Sequence, residues 1–266
     1  MNGEIKKMIK IGSPLFILRD ECNNDLMVVI ERLAEIGFDG IEFLGLFGYE
    51  PGDIRKKLDS CGIVAIGDHV NFYEFVNETD RVIADRKEIG CSFITISSPG
   101  IDGLPGGSKY PETLETINRI GEIVNNAGMT LLYHNHAEEA RTILSGKMVL
   151  EHIADDTDAA FLSLELDLGW IGIAEADPEY FLQKYKNRCP VVHFKDFAPA
   201  DNENGFVFRP TGYGVLNNEK LYKITQEYQK KPQWYIMDHD CAYENDIYDE
   251  LKLSLEFFKN LSSGIK

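Results

Sequence analysis

Eight short apolar runs, spread along the whole chain and separated by helix-like segments, constrain this sequence more than any other feature. The runs are Ile9–Leu18, Gly40–Leu46, Ile63–His69, Ser92–Ser97, Met129–His134, Phe161–Asp167, Val191–Phe194 and Trp234–Asp238. Each is rich in β-branched or aromatic residues, as strands buried on both faces are. The segments between them have helical periodicity. Asp25–Ile36 puts Leu26, Val29, Ile30, Leu33 and Ile36 on one face, and Thr113–Ala127 does the same with Leu114, Ile117, Ile120, Ile123, Val124 and Ala127. Gly37, Gly62 and Gly128 stand between a helix and the next strand, where a left-handed cap is needed. Pro111 and Pro178 fall in first helical turns. Eight strand–helix units predict an α/β fold, a single (β/α)8 TIM barrel over residues 1–266, whereas six would point to an open doubly wound sheet. Neither a Gly-x-Gly-x-x-Gly nor a Gly-x-x-x-x-Gly-Lys-Ser/Thr phosphate loop is present.

Composition narrows the partners. With 27 Lys+Arg against 44 Asp+Glu the formal charge is −17, a surface that repels phosphate backbones and anionic membranes. No nucleic acid and no membrane is therefore expected as a partner. The five cysteines, Cys22, Cys61, Cys91, Cys189 and Cys241, are scattered without a Cys-x-x-Cys pair, as in reduced cytosolic proteins. Met1–Met8 lead into an apolar stretch broken by Lys10, Gly12 and Pro14, which does not read as a signal peptide, and no run of about 18 apolar residues occurs. A cytoplasmic location is the expectation. Lys56-Lys57 and Lys230-Lys231 read as solvated helix faces and not as phosphate sites. A homo-oligomer is compatible with such a barrel, but no interface signal stands out.

The chemistry gathers where strands end, since barrel active sites sit at that face. The last four runs finish in Tyr133-His134-Asn135-His136, Glu165-Leu166-Asp167-Leu168-Gly169-Trp170, His193-Phe194-Lys195-Asp196 and Asp238-His239-Asp240. One such residue is commonly a hydrogen-bonded loop anchor. Four successive strand ends carrying them need pairing or a metal. Mixed imidazole and carboxylate donors suit one divalent ion, Mn, Co, Zn, Fe or Mg, without choosing among them. His152 lies in a helical pattern and is expected to face solvent.

In this order, and with Gly37-Phe38-Asp39-Gly40-Ile41-Glu42 on the second strand and a later Gly212-Tyr213-Gly214, the motifs resemble the sugar phosphate isomerase/epimerase superfamily of xylose isomerase-like TIM barrels. The resemblance spans nearly the whole chain. It implies one metal held by His134, Asp167, His193 and Asp238, and a small carbohydrate as substrate. Many members carry glutamate at the positions of His134 and Asp238, where the pair also moves the proton. This chain departs at both, and carries Tyr213 where many relatives have glutamate. The His-Asn-His form is familiar from the dehydratase and keto-sugar branches.

A mechanism follows in outline. A metal chelated by a carbonyl and its neighbouring hydroxyl acidifies the adjacent C–H by stabilising an enediolate, and a base must lie within reach of that proton. His136, His239 and Glu139 are candidate bases or supports for the ligands, and Lys195 is a candidate to neutralise an oxygen or to pair with Asp167, Asp196 or Glu42. Glu42 and His69 are candidate partners for substrate hydroxyls; Trp170, with Phe47 or Phe72, is a candidate face for a sugar ring. The leading expectation is a metal-dependent isomerase or epimerase. The alternatives are a dehydratase or lyase on a keto-sugar or inosose, and a degenerate barrel that only binds sugar. An endonuclease on the same fold would want a metal cluster and a basic face, which the charge balance opposes.

Overall fold

The strand-like runs owe their burial to alternation: one side chain in two faces the barrel axis and the next faces the helices. The computed structural model describes residues 9–229, 234–242 and 244–263, so Met1–Met8 and Lys230-Lys231 lie outside the described residues. In chain order the units are β1 (Lys10–Pro14) and α1 (Arg19–Ile36), β2 (Gly40–Phe43) and α2 (Pro51–Cys61), β3 (Val64–His69) and α3 (Thr79–Ile89), and β4 (Phe93–Ile96) and α4 (Tyr110–Asn126). They continue with β5 (Thr130–His134) and α5 (Val149–Asp156), β6 (Ser163–Asp167) and α6 (Pro178–Lys184), β7 (Val191–Pro199) and α7 (Asn218–Tyr228), and β8 (Trp234–Asp238) and α8 (Ile247–Ser263). Each strand pairs in parallel with its sequence neighbours, and β8 pairs with β1 through Lys10↔Trp234 to close the barrel. All eight expected runs thus became strands of a single (β/α)8 barrel.

Local chemistry explains where the elements start and stop. Gly37, Gly62 and Gly128 have φ of +99°, +69° and +83° at helix ends, as their positions required. α1 begins six residues before the expected Asp25 but changes direction there (φ −161°, ψ 95°). Asp25 Oδ1 accepts from the Met27 and Val28 amides, so the apolar face read from Asp25 onward starts at a true cap. β7 outruns its expected end at Phe194. Its outer half pairs antiparallel with a strand at Phe206–Arg209, forming a hairpin above the barrel rim that the polar Lys195-Asp196 step concealed. Short helices at Phe72–Asn77, Ala137–Arg141 and Leu168–Ile173 sit directly after β3, β5 and β6.

The barrel interior is layered. Its lower part is apolar, with Ile66, Leu132, Val191, Trp234 and Ile236 buried against Phe93, and the polar residues begin one step higher along the same strands. His152 is half-buried and not the solvent-facing residue expected, because its Nε2 lies 2.9 Å from the Leu144 carbonyl, within hydrogen-bond reach. Lys56 faces outward, paired with Asp53, whereas Lys57 is half-buried against Glu31. All five cysteines are free, and among the described residues no helix is long and apolar enough to cross a membrane.

Gly121, buried on α4, offers a test of how tightly the helices clasp the barrel. A β-carbon there would lie 2.3 Å from the Phe161 carbonyl oxygen. Alanine is the better helix former by about 1 kcal/mol, but overpacking against a backbone wall costs about 1–3 kcal/mol. Gly121→Ala should therefore lower the urea midpoint; a raised midpoint would mean that α4 is free to shift outward.

Candidate active site at the carboxyl ends of the strands

Because side chains alternate, residues two apart on one strand share the axis. β6 presents Glu165 and Asp167, β7 presents His193 and Lys195, and β2, β3, β5 and β8 contribute Glu42, His69, His134 and Asp238. The result is two polar layers. In the lower one Glu165, fully buried, is the hub: its Oε1 lies 2.8 Å from His69 Nε2, 3.0 Å from His134 Nδ1 and 3.2 Å from His193 Nε2. Its Oε2 accepts from the Thr95 hydroxyl at 3.0 Å. Glu42 Oε2 stands 3.0 Å from His193 Nε2 and 3.2 Å from His69 Nε2. In the upper layer the Lys195 ammonium lies 3.2 Å from Asp167 Oδ2, 3.0 Å from Asp238 Oδ2 and 2.5 Å from Asp240 Oδ1. His193 joins the layers, its Nδ1 3.1 Å from Asp238.

The electrostatics follow from this wiring. Burial by itself would lower the His69 pKa, but the Glu42 and Glu165 carboxylates overcome it and raise it to about 10. The same contest raises His193 well above the ordinary imidazole range. Burial wins at His134, helped by the neighbouring imidazoles, so that ring is held neutral. Burial lifts Asp167 to about 6, with Lys195 pulling it down and the Asp238 charge pushing it up. Asp238, also buried, is nevertheless held well below the usual carboxylate range by Lys195 and His193. His136 is drawn down to about 4, by burial first and then by Lys195, although its outer edge is open to solvent in the mouth.

Above these layers opens a cavity of about 290 Å³ with His136, Trp170, Phe16 and Asn71 in its wall. The expected ligand positions His134, Asp167, His193 and Asp238 do converge on the barrel axis, with His134 Nε2 3.9 Å from Asp167 Oδ2. Glu42, His69, Lys195, His136 and Trp170 reach the same cavity. Lys195 pairs with Asp167, as one expectation had it, and not with Asp196 or Glu42. Four further candidates lie elsewhere. His239 is fully buried behind β8, 3.2 Å from Glu250, because it follows an inward residue and so faces the helices. Glu139 accepts from the Tyr133 hydroxyl and the His136 amide, which caps the short helix at Ala137–Arg141. Phe47 and Phe72 are absent from the cavity wall.

Other participants were not singled out in the sequence. Glu165 could have been found by stepping two residues back from Asp167, and Asp240 by stepping two beyond Asp238. Asn135 binds the backbone of Asp167 from both sides, its Oδ1 accepting from the amide and its Nδ2 donating to the carbonyl, which ties the tops of β5 and β6 together. Asp196 organises the glycine turn by accepting from the amides of Gly212, Gly214 and Leu216 and from Asn218 Nδ2. A β-carbon at Gly214 would fall 2.2 Å from Asp196 Oδ1, so glycine is dictated there, and Tyr213 is left 55% exposed outside the cavity.

Known proteins share this architecture. A family model described as xylose isomerase-like TIM barrel matches residues 30–260. An inosose dehydratase from Bacillus thuringiensis is 26% identical over 291 residues, covering 92% of this chain and 94% of that protein. The crystal structure of a sugar phosphate isomerase/epimerase from Parabacteroides distasonis superposes with a TM-score of 0.75 at 22% identity, covering 97% of this chain and 96% of the other. An IolI protein solved with a zinc atom superposes with a TM-score of 0.71 at 11% identity, covering 97% and 99%.

The Glu250–His239 contact yields a pH prediction. Burial opposes the Glu250 charge, but His239 and the Glu244 and Asn245 amides hold its pKa at about 2. The unfolded value is about 4.3, so the folded pKa is depressed. Its stabilising contribution is then complete above about 4.3 and is lost as pH falls towards 2. Urea midpoints measured between pH 6 and pH 3 should fall less steeply in Glu250→Gln than in the wild type. Identical slopes would show that Glu250 has no depressed pKa.

Proposed function

The chain belongs to the xylose isomerase-like TIM barrel family, and from that premise we propose that it is a metal-dependent lyase removing water from a keto-cyclitol such as an inosose, or from a similar keto-sugar. The carrying observation is the convergence of three imidazoles, five carboxylates and one ammonium at the floor of one small cavity. Isomerisation or epimerisation would begin with the same proton abstraction. Elimination is the better reading, because a relative that matches almost end to end is named inosose dehydratase. The replacement of the two proton-moving glutamates by His134 and Asp238 points the same way.

The donors fit a divalent ion. Glu42 Oε2, Asp167 Oδ2, His193 Nε2 and Asp238 Oδ1 are buried without a hydrogen-bond partner, and a mixed imidazole–carboxylate set suits a first-row metal. His134, His193 and the carboxylates around them would hold it. When bound there, such an ion polarises the substrate carbonyl and so acidifies the neighbouring C–H.

The chain's own residues account for the rest. The cavity lies at the lower end of the small-molecule range of about 300–1,000 Å³, which suits one ring and not a disaccharide. Trp170 offers that ring an apolar wall and helps to exclude water. His136, kept neutral by its environment, has a ring nitrogen free to take the proton from the carbon beside the carbonyl. The Lys195 ammonium, fixed by its three aspartates, hydrogen-bonds the departing hydroxyl while staying charged. The hydroxyl leaves as water on taking the proton back from His136, which resets that imidazole.

Proton NMR in D2O, with inososes and keto-sugars and added Mn²⁺ or Co²⁺ kept low enough to preserve the spectra, tests this reading. Loss of the C–H signal together with new signals of a dehydrated product is expected, and His136→Ala should slow it by about 10²–10⁴-fold. Deuterium uptake without elimination would instead make the protein an epimerase or isomerase.

A further inference from the structure

Among the described residues the donors at the strand ends form two groups that share only His193: His69, His134, Glu165 and His193 in the lower layer, and Asp167, His193 and Asp238 in the upper one. We infer that the metal occupies the lower, histidine-rich group, with Glu42 as an additional carboxylate, and that Lys195 serves as the resident cation of the upper group. This assignment rests on the metal-dependent reading above and places the ion one layer deeper than the positions carried over from the family resemblance.

Spacing supports it first. Two donors at right angles, each about 2.1 Å from one ion, lie about 3 Å apart. The five imidazole-to-carboxylate separations in the lower group run from 2.8 to 3.2 Å and involve five different strands. Two of these donor atoms, Glu42 Oε2 and His193 Nε2, are buried 3.0 Å apart and have no hydrogen-bond partner.

Charge supports it second. The Lys195 ammonium already lies within 3.2 Å of both Asp167 Oδ2 and Asp238 Oδ2 and is itself 1% exposed. A divalent ion among those oxygens would sit against a fixed positive charge in a poorly screened interior. No lysine or arginine stands among the lower-layer donors in the described residues, where the Glu42 and Glu165 carboxylates face the imidazoles of His69, His134 and His193. Three imidazoles also favour Mn²⁺, Fe²⁺, Co²⁺ or Zn²⁺ over Mg²⁺, which prefers oxygen donors. The chemical consequence is a division of labour: the ion acts from the floor of the cavity while the ammonium acts from its side.

Co²⁺ binding to the metal-stripped full-length protein distinguishes the two layers without reference to turnover. The visible absorption of bound Co²⁺ and its dissociation constant would be measured for the wild type, His69→Ala, His69→Asn, Glu165→Gln, Asp167→Asn and Asp238→Asn, each checked for folding by circular dichroism. One equivalent in the wild type, unaffected by millimolar Mg²⁺, is expected. Affinity should fall at least about 100-fold in the His69 and Glu165 variants and change less than about threefold in the Asp167 and Asp238 variants. The reverse pattern would place the ion in the upper layer and overturn the assignment while leaving the lyase reading standing. A wild-type protein that takes up no Co²⁺ would overturn both. Two His69 variants are included so that one folded protein carries the comparison if the other fails.

Discussion

A carboxylate with no access to water, Glu165, sits among three imidazoles on the barrel axis, and the upper half of the molecule is arranged around it. An ionised carboxylate cannot remain buried without partners. Here the partners come from β3, β4, β5 and β7, through His69, Thr95, His134 and His193. Each is delivered by parallel pairing in fixed register, so a slip of one residue in any strand would turn its polar group out towards the helices. The closed barrel is therefore a precondition of the charge cluster as well as a way of removing sheet edges.

The second organising element is the Lys195 ammonium. It separates a lower layer dominated by imidazole from an upper layer dominated by aspartate, and with His193 it holds Asp238 well below the usual carboxylate range beside Asp167. The aromatic rings of Trp170 and Phe208 lie 4.9 and 5.3 Å from the same nitrogen and cover it from the hairpin side. Cation–π contact and charge pairing act together here, because both strengthen as water is excluded. The hairpin formed by the outer half of β7 and Phe206–Arg209 thereby becomes part of the site, although it lies outside the eight-unit pattern.

How much of this was legible in the sequence depended on which periodicity was at work. The barrel was plain, because eight apolar runs and their glycine and proline punctuation are local signals. The convergence of His134, Asp167, His193 and Asp238 was also plain, because strand ends meet at one face in any such barrel. Glu165 was overlooked because it stands inside an apolar run and reads as an interruption. Stepping by two from Asp167 assigns it to the axis. His239 was misjudged for the complementary reason: one step from Asp238 along the strand faces the helices, where Glu250 of α8 receives it. Glu139 was lost to a cap whose partners, the Tyr133 hydroxyl and the His136 amide, depend on where the helix begins. The hairpin and the Asp196-centred turn were hidden because both are set by contacts across the rim and not by any pattern along the chain.

The family's usual pair of glutamates and this chain's own residues solve different chemical problems. Two carboxylates on opposite faces of a carbon suit a proton removed from one side and returned to the other. This site lacks that symmetry. A neutral imidazole, His136, stands on the wall, and a fixed ammonium, Lys195, stands beside three aspartates. One group is ready to carry a proton, and the other is held positive by the aspartates around it and can steady a departing hydroxyl. Such an asymmetric pair is suited to taking a proton from one carbon while a hydroxyl leaves the next. On the lyase reading proposed above, the departures at His134 and Asp238 fit elimination as parts of one asymmetric site.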